Sequence, residues 1–418
     1  MGQRSRSLQP SLSAAHLFGA RLRQRRVERE LSQHTLGRLV HVSGDLIGKI
    51  EKGERRANHD LVDRCDRALA CDGELVALWA AAEAEHRGVR ATPGAVERET
   101  VLAHLPALRR VLNAYDLPDD GPSPPLDEVR HGVERFVGMR LASQYVGLAE
   151  ELPSALPAYL RAYHAAHGQR RAELARLLAQ AFRAADAIAD KFGLYDLSAR
   201  IIGILTLMAE ESGDAPTIAA AAYVRAEIFF ASGEWDIGRR MLERAATAMT
   251  PIGDVSTAAY GALHMRAAVL AARAGRPDRA RDHIDEAAGV AAHIQEGVYA
   301  GTAFGPASVR IHHVSLAMDA GDPADALRIA SGWVPPLRVP AERRSHFFVD
   351  LADAQTRCGR YEDAVTTLQA ARKVAPQHVR YHPQVKAALL TLSHRVPSPS
   401  STLRDLARWT GVAAGLRS

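Results

Sequence analysis

The sequence predicts an all-α protein with two parts, a short N-terminal helical bundle and a long array of helical repeats. Alanine is abundant and aromatic residues make up only 6% of the chain, which favours closely packed helices over sheets. Near the N-terminus, two short helical segments are separated by only three residues, which predicts a tightly packed bundle. Farther along, glycine-led segments recur at intervals of 38 to 46 residues, which predicts the array.

The two short N-terminal helices form a helix-turn-helix pattern. Ser32 and Ser43 are good N-caps for helices that end at about residues 39 and 51, and residues 40–42 form the turn. Apolar residues recur where two such helices share a core, at Leu36, Val40, Val42, Ile47 and Ile50. The pattern therefore predicts a second helix presented to the major groove of DNA.

Two positions in this motif depend on backbone geometry. Gly37 is small enough to let the two helices cross closely. His41 occupies the turn position that needs a positive φ and is usually glycine. Histidine is among the residues that are enriched at positive φ, so we expect a left-handed backbone there.

Residues 14–85 resemble the phage-repressor-like helix-turn-helix family, of the xenobiotic-response-element type. The resemblance is clearest in the run IEKGERR, residues 50–56, which is similar to the family's recurrent end of the recognition helix. It implies a five-helix bundle, completed by helices over about residues 61–69 and 74–84. It also implies binding to double-stranded DNA, and an ion pair between Glu51 and Arg23 or a neighbouring arginine.

Recognition-helix geometry and the family resemblance predict the residues that contact DNA. The predicted base-facing residues are Gln33, Ser43, Gly44, Asp45, Gly48 and Lys49. Lys49 can donate to guanine and Asp45 can accept from cytosine, while the two glycines carry no reading group. The predicted phosphate contacts are Lys52, Arg55 and Arg56.

Charge and cysteine content agree with a nucleic-acid partner inside the cell. Residues 1–59 carry a net charge of +7, whereas the remainder carries −2. A basic surface attracts a polyanion and releases its counterions on contact. The three cysteines Cys65, Cys71 and Cys358 form no disulfide framework, and no apolar run reaches membrane-spanning or signal-peptide length. We expect a cytoplasmic protein.

The rest of the chain divides by composition into three further regions. Residues 86–126 are expected to be a linker with one helix over about 101–114 and a proline-rich loop at 118–125. Residues 127–395 are expected to form the repeat domain. Residues 396–418 are expected to be a loop and a C-terminal helix.

The repeat domain contains five segments that begin with glycine and carry a small residue five places later. They begin at Gly193, Gly233, Gly275, Gly321 and Gly359. Each glycine is expected to end one helix, and each small residue lets the next helix pack closely. The segments resemble tetratricopeptide repeats, most clearly in CGRYEDAVTTLQAA at residues 358–371, and imply a superhelix of stacked hairpins.

Tetratricopeptide spacing, applied residue by residue, predicts which side chains face the concave surface. They are Arg183, Tyr223, Glu227, Met265, Ser315, His346, Asp353 and Arg357. This set is polar, mixed in charge and partly aromatic, which suits a small polar molecule or a peptide. The same residues could instead be solvated groove lining, or be covered by the chain's own C-terminal helix.

Residues 105–122 resemble a segment of actinobacterial regulators that carry this N-terminal module. The whole arrangement also resembles the peptide-pheromone receptors of Gram-positive bacteria. Those receptors hold the peptide backbone with groove asparagines, whereas this chain has only Asn58 and Asn113, both outside the repeats. This departure argues against a peptide bound in that way. We expect a homodimer formed through the repeat domain, with a small molecule, a peptide or a protein as partner.

Catalytic and metal-binding motifs are absent from the sequence. It contains no HExxH and no CxxC, and we expect neither enzyme activity, nor a metal, nor a cofactor. His264, His283, His293 and His346 could converge in a superhelix, but a structural role is expected for them. The predicted function is a DNA-binding transcriptional regulator. The alternative is a repeat-type interaction scaffold with little specific DNA binding, which the paired Gly44 and Gly48 favour.

Overall fold

The chain folds as helices joined by short turns. The computed structural model describes residues 14–53, 55–71, 73–76, 78–79, 93–396 and 398–412. Contacts divide the chain into two compact units, residues 1–99 and 100–418. In the described ranges, no helix is both long and apolar enough to span a bilayer. The all-α fold predicted from the sequence is confirmed.

The N-terminal unit begins with the helix-turn-helix. Its helices are α1 (Ala14–Glu28), α2 (Gln33–Leu39), α3 (Gly44–Glu51) and α4 (His59–Ala68). The described residues from 74 to 79 are also helical, where the fifth helix is predicted, and the rest of that helix lies outside the described residues. The core of this unit is built from Leu22, Leu36, Val40, Ile47, Ile50, Val62, Leu69 and Leu75.

Local bonds fix the turn between α2 and α3 as the sequence predicts. The Ser32 hydroxyl accepts from the Thr35 amide at 3.0 Å, and the Ser43 hydroxyl accepts from the Leu46 amide at 3.1 Å. His41 has a φ of 56°, the left-handed conformation expected at the glycine position of the turn. The helix-turn-helix therefore keeps its geometry although this position is not glycine.

The second unit contains sixteen further helices among the described residues, and one hairpin of two strands. The helices are α5 (Pro93–Asn113), α6 (Leu126–Leu141), α7 (Tyr145–Ala165), α8 (Gly168–Lys191), α9 (Tyr195–Ser212), α10 (Ala215–Ser232), α11 (Trp235–Thr247), α12 (Gly253–Arg273), α13 (Pro277–Ala291), α14 (Pro306–Asp319), α15 (Pro323–Ala330), α16 (Ala341–Arg357), α17 (Tyr361–Val374), α18 (Pro376–Tyr381), α19 (Pro383–Arg395) and α20 (Ser401–Thr410). The strands are β1 (Gly297–Tyr299) and β2 (Thr302–Phe304), which pair antiparallel.

Six helical hairpins stack in chain order through α6 to α17. In each hairpin the first helix packs on the second, and the first helices also contact one another along the stack. These first helices, which we call the inner row, are α6, α8, α10, α12, α14 and α16. The inner row is one continuous wall, because each hairpin buries its face on the next.

The glycine-led turns lie inside these hairpins, where the sequence predicts them. All five glycines have a φ between 70° and 79°, and each follows an inner-row helix. The small residues that follow, at positions 198, 238, 280, 326 and 364, are all buried. At Gly238 an added Cβ would lie 2.7 Å from Phe229 Cβ, so the close helix packing requires a residue without a side chain at this position.

Segments on both sides of the array contribute to the core of the second unit. Val101, Leu105 and Leu112 of α5 are buried in its main hydrophobic cluster, so this part of the predicted linker belongs to the helical unit. At the other end, Leu406 and Trp409 of α20 are buried in a second cluster. Both flanking regions are therefore integral to the fold.

The β-hairpin is an element that the all-α sequence prediction did not contain. Gly297 pairs with Phe304, and the turn at Ala300 and Gly301 has positive φ at both residues. Phe304 packs on α12, where an added Cβ at Gly261 would lie 2.0 Å from Phe304 Cζ. The hairpin is thereby fixed to α12, and its turn is presented to the inner row.

Candidate functional site

The recognition helix α3 has one buried face and one exposed face. Ile47 and Ile50 are buried in the core, whereas Asp45 and Lys49 are exposed on the other side. Lys49 Nζ lies 2.8 Å from Asp45 Oδ2, so these two side chains pair with each other in the absence of DNA. The exposed face therefore presents groups that can donate to and accept from base edges.

Buried Glu51 connects the recognition helix to the rest of the unit. Its carboxylate accepts from Arg26 Nε at 2.6 Å and from the second Arg26 guanidinium nitrogen at 3.0 Å. Arg26 also donates to the Leu31 carbonyl at 2.7 Å. The family-implied ion pair is thus formed with Arg26, one turn beyond Arg23. Because a bidentate pair is directional, it fixes the orientation of α3 against α1.

Gln33 belongs to the same buried network. Its amide nitrogen donates to Glu51 Oε2 at 2.7 Å. Gly48 is buried beneath it, and an added Cβ there would lie 3.0 Å from Gln33 Oε1. Gln33 and Gly48, both predicted to face DNA, therefore support the position of the recognition helix in the free protein.

Gly44 and Gly37 allow α2 and α3 to approach each other. An added Cβ at Gly44 would lie 2.8 Å from His34 Cα, and one at Gly37 would lie 2.7 Å from the Val42 carbonyl oxygen. Both clashes involve backbone atoms, which cannot move aside cheaply. Gly44 thus has a packing role that is independent of base reading.

The remaining predicted DNA contacts lie on the surface. Ser43 is exposed at the start of α3, and its hydroxyl caps the helix. Lys52, Arg55 and Arg56 are exposed just after the helix ends. One face of the helix-turn-helix therefore combines a polar edge on α3 with a cationic segment that follows it.

A cavity of about 440 Å³ opens along the inner row of the second unit. All six inner-row helices contribute side chains to it, together with the turn of the β-hairpin and the start of α19. Basic and acidic side chains both line the cavity, and aromatic rings lie among them. This composition suits a polar ligand better than an apolar one.

Arginines surround Tyr223 in the cavity wall. Arg343 donates to the Tyr223 hydroxyl at 2.9 Å, and the Arg266 guanidinium carbon lies 4.5 Å from the centre of the ring. Burial alone raises the pKa of Tyr223, but the nearby cations of Arg343, Arg266 and Arg183 outweigh it and lower the pKa to about 8. Three arginine cations therefore act on the Tyr223 hydroxyl in this part of the cavity.

Two of these arginines have no carboxylate at ion-pair distance among the described residues, although Glu227 and Glu342 act on Arg183 from farther away. Arg266 pairs with Glu227 at 2.9 Å, but within the described ranges no carboxylate lies at ion-pair distance from Arg183 or Arg343. Arg183 donates instead to Thr302 Oγ1 at 2.8 Å. Burial, with Arg140 close by, lowers the pKa of Arg183 to about 9. An anionic group in the cavity would relieve both unbalanced charges.

The acidic side chains of the cavity are partly neutralised by burial. Burial raises the pKa of Asp186 well above its ordinary value, and the neighbouring Glu227 adds to the shift. Burial also raises the pKa of Asp350 to about 6. Six acidic and six basic side chains line the cavity, so its charges are balanced in number, and burial favours the neutral form of Asp186.

The structure brings five of the eight predicted groove residues together in the cavity. These are Arg183, Tyr223, Glu227, Ser315 and His346. Met265 instead is fully buried in the core, and its neighbour Arg266 lines the cavity. Asp353 and Arg357 lie outside the cavity lining and pair with each other at 2.8 Å. Because successive residues of a helix point about 100° apart, a shift of one position moves a side chain out of the groove.

Arg343 and His312 are the main lining residues that sequence spacing missed. Arg343 lies three residues before His346 on α16, so helical periodicity from His346 could have found it. His312 is buried, and its Nε2 accepts from Arg343 at 3.2 Å. No signal in the sequence distinguishes His312 from a core histidine.

Comparisons with known proteins give a family match within the N-terminal unit. A family model described as a helix-turn-helix domain matches residues 17–79. No curated protein matches the chain significantly in sequence. Among solved structures, the chain is similar to the crystal structure of Bacillus thuringiensis PlcR in complex with the peptide PapR7 and DNA, with 10% identity, a TM-score of 0.34, and coverage of 88% of this chain and 98% of that chain.

The matched residues contain most of α1 and all of α2 to α4, including the complete helix-turn-helix. The family match and the geometry of the recognition helix identify the N-terminal unit as a helix-turn-helix domain. The chain is accordingly a DNA-binding transcriptional regulator.

Proposed function

We propose that the chain is a transcriptional regulator that recognises an operator through α3 and responds to an anionic small molecule in the inner-row cavity. The observation that carries the DNA-binding part is the exposed edge of α3, where Asp45 and Lys49 stand on a helix fixed by the Arg26–Glu51 pair. In this proposal Ser43, Asp45 and Lys49 read bases, and Lys52, Arg55 and Arg56 bind phosphates.

Gln33, Gly44 and Gly48 act differently in this proposal from the sequence prediction. They hold α2 and α3 together, and any contact they make with DNA is secondary. The alternative function, an interaction scaffold, was supported by the absence of base-contacting side chains at Gly44 and Gly48. Gly44 removes part of that support, because a side chain there would clash with the His34 backbone, whereas a side chain at Gly48 would meet only the Gln33 side chain.

A dimer is the second part of the proposal. One recognition helix reads only a few base pairs, and helix-turn-helix proteins commonly bind two half-sites about 34–36 Å apart. We propose that the repeat unit forms the homodimer. Selection of binding sites from random DNA by the full chain is expected to return a two-fold symmetric site with this spacing. Unrelated sequences, or a single unpaired half-site, would contradict the proposed dimeric reader.

The ligand part rests on Arg183 and Arg343. Two cations without carboxylate partners, beside a tyrosine hydroxyl, match the charge and donors that a carboxylate or phosphate group requires. A bound ligand would shift the population of dimer arrangements if its affinity for them differs. This provides a physical route from the cavity to operator affinity.

A thermal-shift screen tests the ligand class. A panel of metabolite-like carboxylates and phosphates is compared with neutral polar compounds of the same size, since a ligand that binds only the folded state raises the unfolding temperature. Stabilising compounds are expected to be anionic, and R343Q is expected to abolish the shift. R344Q is the matched control, because Arg344 donates to the Val339 carbonyl and does not line the cavity. Hits confined to neutral compounds, or an undiminished shift in R343Q, would rule out the anionic class.

A further inference from the structure

Three histidines meet at one end of the inner-row cavity. His346 lies on α16, His378 on α18, and His382 between α18 and α19. Their ring centres are 4.4 Å, 5.0 Å and 5.3 Å apart, and each offers one nitrogen atom within 4.8 Å of the other two. In the described part of the chain this is the one group of three potential ligand residues with such spacing.

Hydrogen bonding fixes the tautomer of His378. The Ser345 hydroxyl donates its proton to the Glu342 carbonyl at 2.7 Å, so it can only accept from His378 Nδ1, which lies 2.7 Å away. His378 Nδ1 therefore carries the proton, and Nε2 carries the lone pair. That Nε2 atom is fully buried and has no hydrogen-bond partner. A metal-binding histidine is typically oriented in this way, through a hydrogen bond from its other ring nitrogen.

A second nitrogen of the cluster is also unsatisfied. His382 Nδ1 is buried without a hydrogen-bond partner. A buried polar atom that lacks a partner is unfavourable, so two of them in one cluster indicate a missing shared partner. One cation bound between the rings would satisfy both lone pairs.

The electrostatic surroundings permit a bound cation. Arg343 acts on two of the rings, and Lys191 is the cation that acts on all three. Its ammonium group lies 3.2 Å from Asp190 and 3.7 Å from Glu342, which offset it.

We propose that His346, His378 and His382 form a binding site for a divalent transition-metal ion, with Zn²⁺ as the best match for three imidazoles. Tetrahedral coordination places the nitrogens about 3.4 Å apart, so nitrogens that lie within 4.8 Å of one another must move closer on binding. His346 and His382 line the cavity, which leaves the fourth coordination position facing it. The site thus belongs to the open class, whose remaining position accepts water or an anionic ligand.

Metal titration of the full chain tests this site without DNA. The protein is stripped with chelator and titrated with Zn²⁺ against a chromophoric competitor. One equivalent is expected to bind to the wild type, and Co²⁺ is expected to give the visible absorption of a four-coordinate ion. H378Q is expected to bind Zn²⁺ more than about 100-fold more weakly, a larger loss than that of an outer-shell partner.

Two control variants separate this site from other histidines. His283 lies 3.1 Å from His264 and 3.0 Å from Glu243, so H283Q removes the other close histidine pair, and H293Q removes an exposed ring. Both are expected to bind Zn²⁺ as the wild type does. S345A keeps all three ligands and is expected to weaken binding by about 10–100-fold, which provides the test if H378Q does not fold. Less than half an equivalent bound by the wild type, or equal affinity in H378Q or a folded S345A, would overturn the proposal.

Discussion

At the scale of single residues, the DNA-reading surface depends on one buried carboxylate. Glu51 accepts bonds from Arg26 on α1 and from Gln33 on α2, and it belongs to α3 itself. All three helices of the motif therefore meet at one ion pair. Resemblance to the family was enough to expect this pair, but the identity of its arginine depends on the rotation of α1, which the sequence does not fix.

Replacing Glu51 by alanine tests this network. Arg26 would remain buried without a carboxylate to balance its charge, which typically costs about 3–5 kcal/mol, although it would keep its bond to the Leu31 carbonyl. Hydrogen exchange of the α2 and α3 amides is expected to show a local opening free energy lower by that amount. E28A is the control, because Glu28 is exposed and is expected to change the value by less than about 0.5 kcal/mol. Unaltered protection of α3 in E51A would contradict the central role of the pair.

The stability of the second unit is expected to depend on pH through His312. Its Nδ1 donates to the Ser308 carbonyl at 2.9 Å, and burial lowers its pKa to about 3. The unfolded chain takes up this proton near pH 6.5. Stability contributed by neutral His312 is therefore complete above about pH 6.5 and is lost as the pH falls towards 3.

The variant H312Q isolates this effect. Between pH 7 and pH 5, the wild type is expected to lose about 2 kcal/mol more unfolding free energy than H312Q, from about 1.36 kcal/mol per pH unit below 6.5. Urea unfolding at both pH values measures the difference. H293Q is expected to follow the wild type, because His293 is exposed. Parallel losses in H312Q and the wild type would show that His312 titrates normally in the folded protein.

At the scale of elements, the contact between α2 and α3 distinguishes two glycines that look alike in the sequence. An alanine at position 44 would meet the His34 backbone at 2.8 Å, whereas one at position 48 would meet only the movable Gln33 side chain at 3.0 Å. G44A is expected to destabilise the motif by about 1–3 kcal/mol. In G48A the better helix propensity of alanine offsets the strain, leaving a change below about 1 kcal/mol. Hydrogen exchange of α3 measures both, and the reverse order would refute the packing role.

The repeat turns show which elements a sequence can reveal. Five turns were predictable because the backbone after each inner-row helix adopts a positive φ, for which glycine is the usual solution. The α6–α7 hairpin makes the same turn with Ser143, at a φ of 58°. Without glycine the turn leaves no signature, so the first hairpin was missed as a repeat.

The cavity could be predicted only in part, for two physical reasons. A groove position depends on helix rotation, which sequence spacing gives to within one residue, and Arg266 lies where Met265 was expected. Contacts of long sequence separation leave no periodic signal. His378 and His382 follow the last hairpin and return to His346 through the tertiary fold, so the sequence prediction of no metal site did not consider them together.

At the scale of the whole molecule, charge is divided along the chain. The net charge of +7 in residues 1–59 belongs to the helix-turn-helix unit and its N-terminal extension, while the remainder carries −2. Counterion release at the basic segment gives affinity for any duplex, and the exposed edge of α3 must supply the preference among sequences. Non-specific and specific binding are therefore expected to respond to different substitutions.

The most direct test is a salt titration of the full chain on its selected operator and on a shuffled duplex, with wild type, K49A and R55A. Affinity for both duplexes is expected to fall with salt, and the wild type is expected to prefer the operator by at least about 10³-fold. K49A is expected to reduce the difference in binding free energy between the two duplexes by about 1–3 kcal/mol. R55A is expected to weaken binding to both duplexes equally, and to lower the slope of log affinity against log salt concentration by about one. Equal wild-type affinity for operator and shuffled duplex at every salt concentration would contradict sequence-specific recognition by α3.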